Sequence, residues 1–462
     1  MRLVLGLSLA VVLALQESRW TLGGTPGGRF VIVSAAGSVV DRTGATLVLR
    51  SDSAPPGAFG TISGSVPADS FRSRRVRLIA DVDAKDVAGS ASPWLRVDGP
   101  TGMLSLDNGT DNPVRGNASG HRELTLFVPP EATRLVFGLL MSGRGEATAR
   151  GLHLEARSIV AADAPLAPAA QRELDSAFAI VRARSLWRDT VSWTRVEPRV
   201  RAIAAGAESP DEVYPAIRVL LASLGDHHSF LMRPAGMRQF QSGGAQNPRP
   251  EIRALADSIG YISVPAYSGA ERSALEAYVK DVHAALGAVL PNTSCRWVVD
   301  LRGNGGGNMW PMLGGLRPFL GEAGLGSFVS ASGPAPLWHA RDLVDLQMTP
   351  ALTALDSSYV AVLTGPRTAS SGEAVTISFI GRPRTRSFGL ATAGLSTANS
   401  GFLLPDSSMI QLTVSVEADR NGRRYGEKIE PDETIPGSLI EGADPQMDRA
   451  IAWLKSQPAC GK

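Results

Sequence analysis

Histidine and cysteine are scarce in this 462-residue chain, which has six of the first and two of the second, Cys295 and Cys460. Two cysteines exclude a disulfide framework and allow one bridge at most, so a packed core must hold the fold. No Cys pair or closely spaced His pair has metal-ligand spacing, and the neighbours His227 and His228 point in different directions on either a helix or a strand. No metal and no cofactor is expected. An excess of one charge sign is missing too. Forty-six basic residues against 44 acidic ones give +2, with no long charge run and little aromatic content, which argues against a nucleic-acid partner. Long apolar runs are absent except at the start, where Met1 and Arg2 precede an apolar stretch over residues 3–15. That stretch is too short for a membrane span and has the form of a secretory signal. Residues 1–18 are therefore expected to be a signal peptide, and the protein to be exported, periplasmic or secreted, with no stable membrane span. No cysteine lies near the segment to carry a lipid.

The length exceeds what one core organises, so two or three domains of roughly 100 to 200 residues are expected. Residues 45–50, 75–82, 94–98, 123–128 and 135–141 are short alternating stretches separated by Gly, Pro, Asn and Asp. This spacing predicts an N-terminal all-β sandwich, jelly-roll-like, over 19–160. Trp94, Arg96, Asp98 and Asn108 are candidates for a carbohydrate-binding face on it, although an aromatic on a sandwich is more commonly core. After a Pro- and Ala-containing linker, a small helical segment is expected over 171–235. Apolar residues recur there at helical spacing, and Ser209-Pro210-Asp211-Glu212 marks a helix start. Residues 250–440 alternate strand and helix, which implies an α/β domain. Residues 402–416 read as a hairpin turning at Pro405-Asp406-Ser407-Ser408, and 441–462 as a C-terminal helix and tail.

Chemistry concentrates in two segments of the α/β domain. Trp297-Val298-Val299-Asp300-Leu301 is an apolar strand that breaks into Arg302-Gly303-Asn304-Gly305-Gly306-Gly307, where backbone approaches a ligand without interference from Cβ atoms. After a second strand at 359–363, Thr368-Ala369-Ser370-Ser371-Gly372-Glu373 is a small-residue elbow opening a helix. Acyl transfer needs a nucleophile, a base and donors aimed at the developing oxyanion. Ser370 is the candidate nucleophile, the amides of Gly306 and Ser371 the oxyanion donors, and His228 the base. Each has a plainer reading. Ser370 and Glu373 fit an S-x-x-E capping box. The glycines also suit a tight turn or, less well, a phosphate loop, since neither the full G-x-G-x-x-G spacing nor a following Lys is present. The two histidines also suit a solvated loop.

In order, Leu224-Gly225-Asp226-His227-His228-Ser229, Gly260-Tyr261-Ile262, the run from Asp300 to Gly307 and the run from Thr368 to Glu373 resemble the motifs of the tail-specific, or C-terminal processing, serine peptidases and their tricorn-core relatives. The resemblance covers about residues 211–436. It implies a crotonase-like ββα catalytic domain, a peptide or unfolded-protein substrate, and Ser370 as nucleophile with oxyanion amides from Gly306 and Ser371. The lysine used as base by the processing members falls at Leu395 here, which accepts no proton. The resemblance is thus closer to the tricorn-like variant, with His228 as base and a glutamate orienting it; Glu427 is the choice for that glutamate and Glu430 the reserve. Only about twenty residues, 233–252, separate the helical part from the catalytic strands, too few for the PDZ domain many processing members carry. The competing expectation is a non-catalytic binding protein of the same fold, its sandwich holding a glycan, a protein or a small apolar ligand. Homo-oligomer formation is left open.

Overall fold

The computed structural model describes residues 20–459 apart from 42, 56–57, 101, 111, 158–160, 162, 243–246 and 438–441, and without the side chains of 239–242. The expected signal peptide and Cys460 lie outside the described residues. The chain divides into two compact units, one formed by Met1–Gln171 with Pro198–Val219 and the other by Arg172–Glu197 with Leu220–Lys462. The chain is thus multidomain, with several sheets and helices.

The first unit carries strands β1 (Thr21–Gly24), β2 (Val31–Ala36), β3 (Ala45–Ser51), β4 (Phe59–Pro67), β5 (Arg74–Lys85), β6 (Val87–Gly99), β7 (Gly102–Asp107), β8 (Val114–Gly116), β9 (Ser119–Val128), β10 (Arg134–Ser142) and β11 (Gly145–Ala156). They pair antiparallel in two sheets, β1-β4-β10-β6-β7 with β8 on β6, and β2-β3-β11-β5-β9. Alternate residues turn inward, as the period of two requires. Leu47 and Leu49 of β3 and Val76 and Leu78 of β5 share one core with Leu95 and Val97 of β6 and Phe137 of β10. Trp94 is only 8% exposed and so offers no stacking surface; the candidate carbohydrate face is corrected on that point.

The helical segment contains α1 (Pro168–Arg184), α2 (Trp193–Ala204) and α3 (Tyr214–Ala222). The helix expected from Pro210 begins as a 3₁₀ turn, Pro210–Val213, before α3. Arg75 of β5 places its guanidinium on the carbonyls of Ile203, Ala204 and Ala205 at 3.0, 2.7 and 2.8 Å, a cation against the carbonyl end of α2.

In the second unit β12 (Phe230–Met232) and α4 (Pro234–Ser242) precede β13 (Glu251–Ala254), β14 (Gly260–Ser263), α5 (Arg272–Val289), β15 (Arg296–Asp300), α6 (Met309–Leu320), β16 (Gly326–Ser330), β17 (Gly333–Pro334), α7 (Pro350–Thr353), β18 (Tyr359–Thr364), α8 (Ser371–Phe379), β19 (Thr385–Gly389), β20 (Thr397–Leu403), β21 (Met409–Asp419), β22 (Glu433–Thr434) and α9 (Pro445–Lys455). One sheet has the order β13-β14-β15-β18-β19-β22 and is parallel from β14 to β22. Its central strands β15 and β18 are apolar between their ends because both faces are covered. Trp297, Val299, Val360 and Val362 pack under α5, α6 and α8, while Val298, Ala361 and Leu363 pack under Ala450 and Leu454 of α9. The other sheet runs β12-β21-β16-β17 with β20 on the free side of β21. Both segments singled out in the sequence leave the carboxyl ends of neighbouring parallel strands, β15 and β18, where loops of open α/β sheets gather functional groups.

Candidate active site

The elbow after β18 is pinned from below. Thr368 Oγ1 donates to the Leu301 carbonyl at 2.8 Å and accepts from the Gly365 N–H at 3.0 Å, and the Ala369 N–H donates to the Asn304 carbonyl at 2.9 Å. These bonds join the end of β18 to the end of β15. Ser370 then adopts φ 52° and ψ −122°, in the half of the map that non-glycine residues avoid. Such strain is a feature of nucleophile turns. Gly306 makes the turn sterically feasible: a Cβ there would stand 2.7 Å from the Ala369 carbonyl oxygen and 2.9 Å from Ser370 Cβ.

His228 arrives from the other direction. After α3 the Asp226 carboxylate accepts the N–H groups of His228 and Ser229 at 3.1 and 3.0 Å and the Ser229 hydroxyl at 2.6 Å, an Asx-type turn that fixes the loop. His227 is exposed and has φ 53°, whereas His228 is buried, 8% exposed. Its Nε2 lies 3.0 Å from Ser370 Oγ, across 142 positions of sequence. Its Nδ1 lies 2.6 Å from Thr397 Oγ1 at the start of β20, and its carbonyl accepts from Asn399 Nδ2 at 2.8 Å. Burial lowers the imidazole pKa below 6.5, opposed by the nearby Asp226 charge, so the ring is held neutral at neutral pH. For Nε2 to take a proton from Ser370, Nδ1 must carry the hydrogen and donate it to Thr397.

The role expected of Glu427 is taken by another residue. Glu427 is exposed, as is Glu430, and the side-chain partner of His228 Nδ1 is Thr397. The contact of Glu427 near the site is through backbone: its carbonyl accepts from Ser396 Oγ at 2.5 Å, and the Ile429 N–H donates to Thr392 Oγ1 at 2.9 Å. The oxyanion pair divides. Gly306 abuts Ser370, but its N–H already donates to Asn304 Oδ1 at 3.0 Å. Ser371 heads α8, where the first amides lack intrahelical acceptors, and its hydroxyl donates to the Gly307 carbonyl at 2.7 Å.

The buried Glu373 was legible only as a cap. Its carboxylate accepts the Ser370 N–H at 2.8 Å, the Gly394 N–H at 3.0 Å, the Leu395 N–H at 2.8 Å and the Thr392 hydroxyl. The position read as the missing lysine thus supplies a backbone donor that ties its loop to the serine elbow. Burial raises the Glu373 pKa against the pull of these hydrogen bonds. Glu417 of β21 stands behind it; burial, then the Glu373 charge, push its pKa well above the carboxylate range. Among the described residues no group of three or more His, Cys, Asp or Glu side chains is placed to hold a metal, and no helix is long and apolar enough to cross a membrane.

A serine on a strained strand-to-helix turn, within hydrogen-bond distance of a buried histidine, is the constellation of serine hydrolases as a class. Residues 258–435 match the profile of peptidase family S41. The chain is 25% identical over 295 residues to the nisin-resistance protein of Lactococcus lactis subsp. lactis, covering 63% of this chain and 88% of that one. It also resembles the solved structure of a lipoprotein from Streptococcus agalactiae, with 27% identity, a TM-score of 0.55, and coverage of 63% of this chain and 98% of the other.

Proposed function

We propose that the chain is an exported serine peptidase in which His228 activates Ser370 to attack a peptide carbonyl. As the Ser370 Oγ–carbon bond forms, the hydroxyl proton passes to His228 Nε2 and the carbonyl oxygen gains charge. The Ser371 amide at the start of α8 is the donor offered to that oxygen. Collapse breaks the C–N bond, and the imidazolium gives its proton to the leaving amine. Water, deprotonated by the same imidazole, then releases the acyl group and restores the serine. The carrying observation is the 3.0 Å contact between His228 Nε2 and Ser370 Oγ. Leu395, standing where the lysine variant has its base, favours the histidine variant.

The same reading takes residues 19–160 as a jelly-roll-like β-sandwich and 250–440 as a crotonase-like ββα domain. Export is supported by the form of residues 1–18. The name of one relative makes nisin the first peptide to try, alongside unfolded casein as a general substrate. Cleavage of either by the intact protein, lost in Ser370→Ala, supports the reading. Undiminished cleavage by Ser370→Ala contradicts Ser370 as the nucleophile, and no cleavage of either substrate by the intact protein contradicts the reading and favours a binding protein of the same fold.

A further inference from the structure

An antiparallel sheet with one solvated face normally alternates apolar and polar residues. The sheet that begins with β12, just after His228, breaks this rule beside the site. Across β12, β21 and β20 the register places Leu231 opposite Ile410 and Ile410 opposite Phe402. Leu231 and Ile410 are buried, so this row faces the core. The rows on the opposite face are Phe230–Gln411–Gly401 and Met232–Met409–Leu403. Apart from Gln411, whose amide donates to Met409 Sδ at 3.2 Å, they are apolar as well, yet they are open. Phe230 is 46% exposed and Leu403 65%, while Met232 and Met409 are half-buried. Gly401 adds no side chain, which leaves a shallow trough between Phe230 and Leu403.

The patch is continuous with the Ser370–His228 pair. Phe230 opens β12 two residues after His228. The next row on the same face, Thr413–Asn399, bonds internally through Thr413 Oγ1 and Asn399 Oδ1 at 2.9 Å and holds the His228 carbonyl. Beyond the register shift between Asn399 and Ala398 stands Thr397, which holds the imidazole. An apolar floor therefore leads away from the histidine along three strands.

Resting on the peptidase reading, we infer that this face receives the substrate: a flexible peptide whose apolar side chains flank the scissile bond and settle on Phe230, Met232, Met409 and Leu403. Two considerations select that occupant. The surface begins at the residues that orient the base, so whatever lies on it also lies at Ser370. Its methionines have flexible, polarisable side chains that repack around varied apolar partners, which suits a strip of sequence more than one rigid shape. Contiguous exposed apolar surface of this kind marks binding sites.

The test uses the full chain and two fluorescein-labelled decapeptides that differ only in carrying Leu and Phe, or Ser and Thr, around the central bond. Binding is read by anisotropy in a Ser370→Ala background, which needs no catalysis. The apolar peptide is expected to bind at least tenfold more tightly than the polar one, and Phe230→Ser with Leu403→Ser to remove most of that preference. Because both positions are exposed, the melting temperature should move little; fluorophosphonate labelling of Ser370 is read separately in the intact protein. Equal binding of the two peptides, or a preference that survives the double change, overturns the proposal even if labelling proceeds. Absence of labelling alongside selective binding overturns the peptidase reading and leaves the apolar face standing. Light scattering that shows a dimer dissolved by the double change would assign the face to a second copy and overturn the proposal.

Discussion

His228 Nδ1 and Thr397 Oγ1 lie 2.6 Å apart, so the imidazole is oriented by a neutral hydroxyl. A hydroxyl selects the tautomer by accepting the Nδ1 hydrogen, but it offers no negative charge to the imidazolium that forms later. Thr397→Val keeps the shape and deletes the acceptor. The expected result is about a tenfold fall in the rate of fluorophosphonate labelling, the scale of one hydrogen bond, with recovery in Thr397→Ser. Equal rates for the valine and serine variants would show that the hydroxyl only packs.

Titration of the histidine sets the acid limb of activity. Burial lowers the His228 pKa from 6.5, and only the neutral ring accepts the serine proton. Labelling should therefore hold through pH 6.5 and fall as pH drops below it. A limb centred above 6.5 would mean a ring more stabilised as a cation than this site allows. His227→Ala should leave labelling within about twofold, since that ring is exposed, while His228→Ala should lower it by about 10² to 10⁴.

Gly306 is required by space and by backbone. Its φ is 99°, and an added Cβ would press on the Ala369 carbonyl and Ser370 Cβ. Gly306→Ala should cost about 1 to 2 kcal/mol from the positive φ alone and displace the elbow, seen as a lower melting temperature together with lost labelling. Gly303 has open space around its Cβ position and no positive φ, so Gly303→Ala should be mild on both counts.

A second pH effect concerns stability. Glu173 of α1, fully buried, accepts from the Asp406 N–H and from Ser408 Oγ in the turn between β20 and β21. Burial first, and then the Asp406 carboxyl beside it, raise its pKa from 4.5 to about 7. The folded state therefore holds this proton more tightly than the unfolded chain. The stabilisation is complete below pH 4.5 and is lost as pH rises through about 7. Melting temperatures from pH 5 to 8 should decline through this group, and Glu173→Gln should flatten the decline.

Much of this arrangement was legible in the sequence, because motif and spacing are local. The run from Asp300 to Gly307 and the elbow at Ser370 each combine an apolar strand with residues that only a tight turn needs, and both occur at strand ends. The helix over Met309–Leu320 and the strand Tyr359–Thr364 follow from periodicity for the same reason. Thr397 was not legible. A threonine in a strand carries no signal, and its role comes from meeting a histidine 169 positions away. Glu373 was visible as the far end of a capping box, yet its bonds to Gly394 and Leu395 depend on how a later loop folds back. Glu427 failed by the converse logic: a glutamate in a suggestive segment does not orient an imidazole whose Nδ1 another side chain holds. The apolar face was hidden as well, since only the register of three strands brings Phe230, Met409 and Leu403 onto one side.

The account turns on Ser370 being a nucleophile activated by His228. Incubation of the intact protein with a fluorophosphonate, followed by proteolysis and mass spectrometry, reads this directly. The account predicts one phosphonylated residue, Ser370, at neutral pH, and its loss in His228→Ala while melting shows that variant folded. Modification at another serine, or unchanged modification of Ser370 in folded His228→Ala, would contradict it.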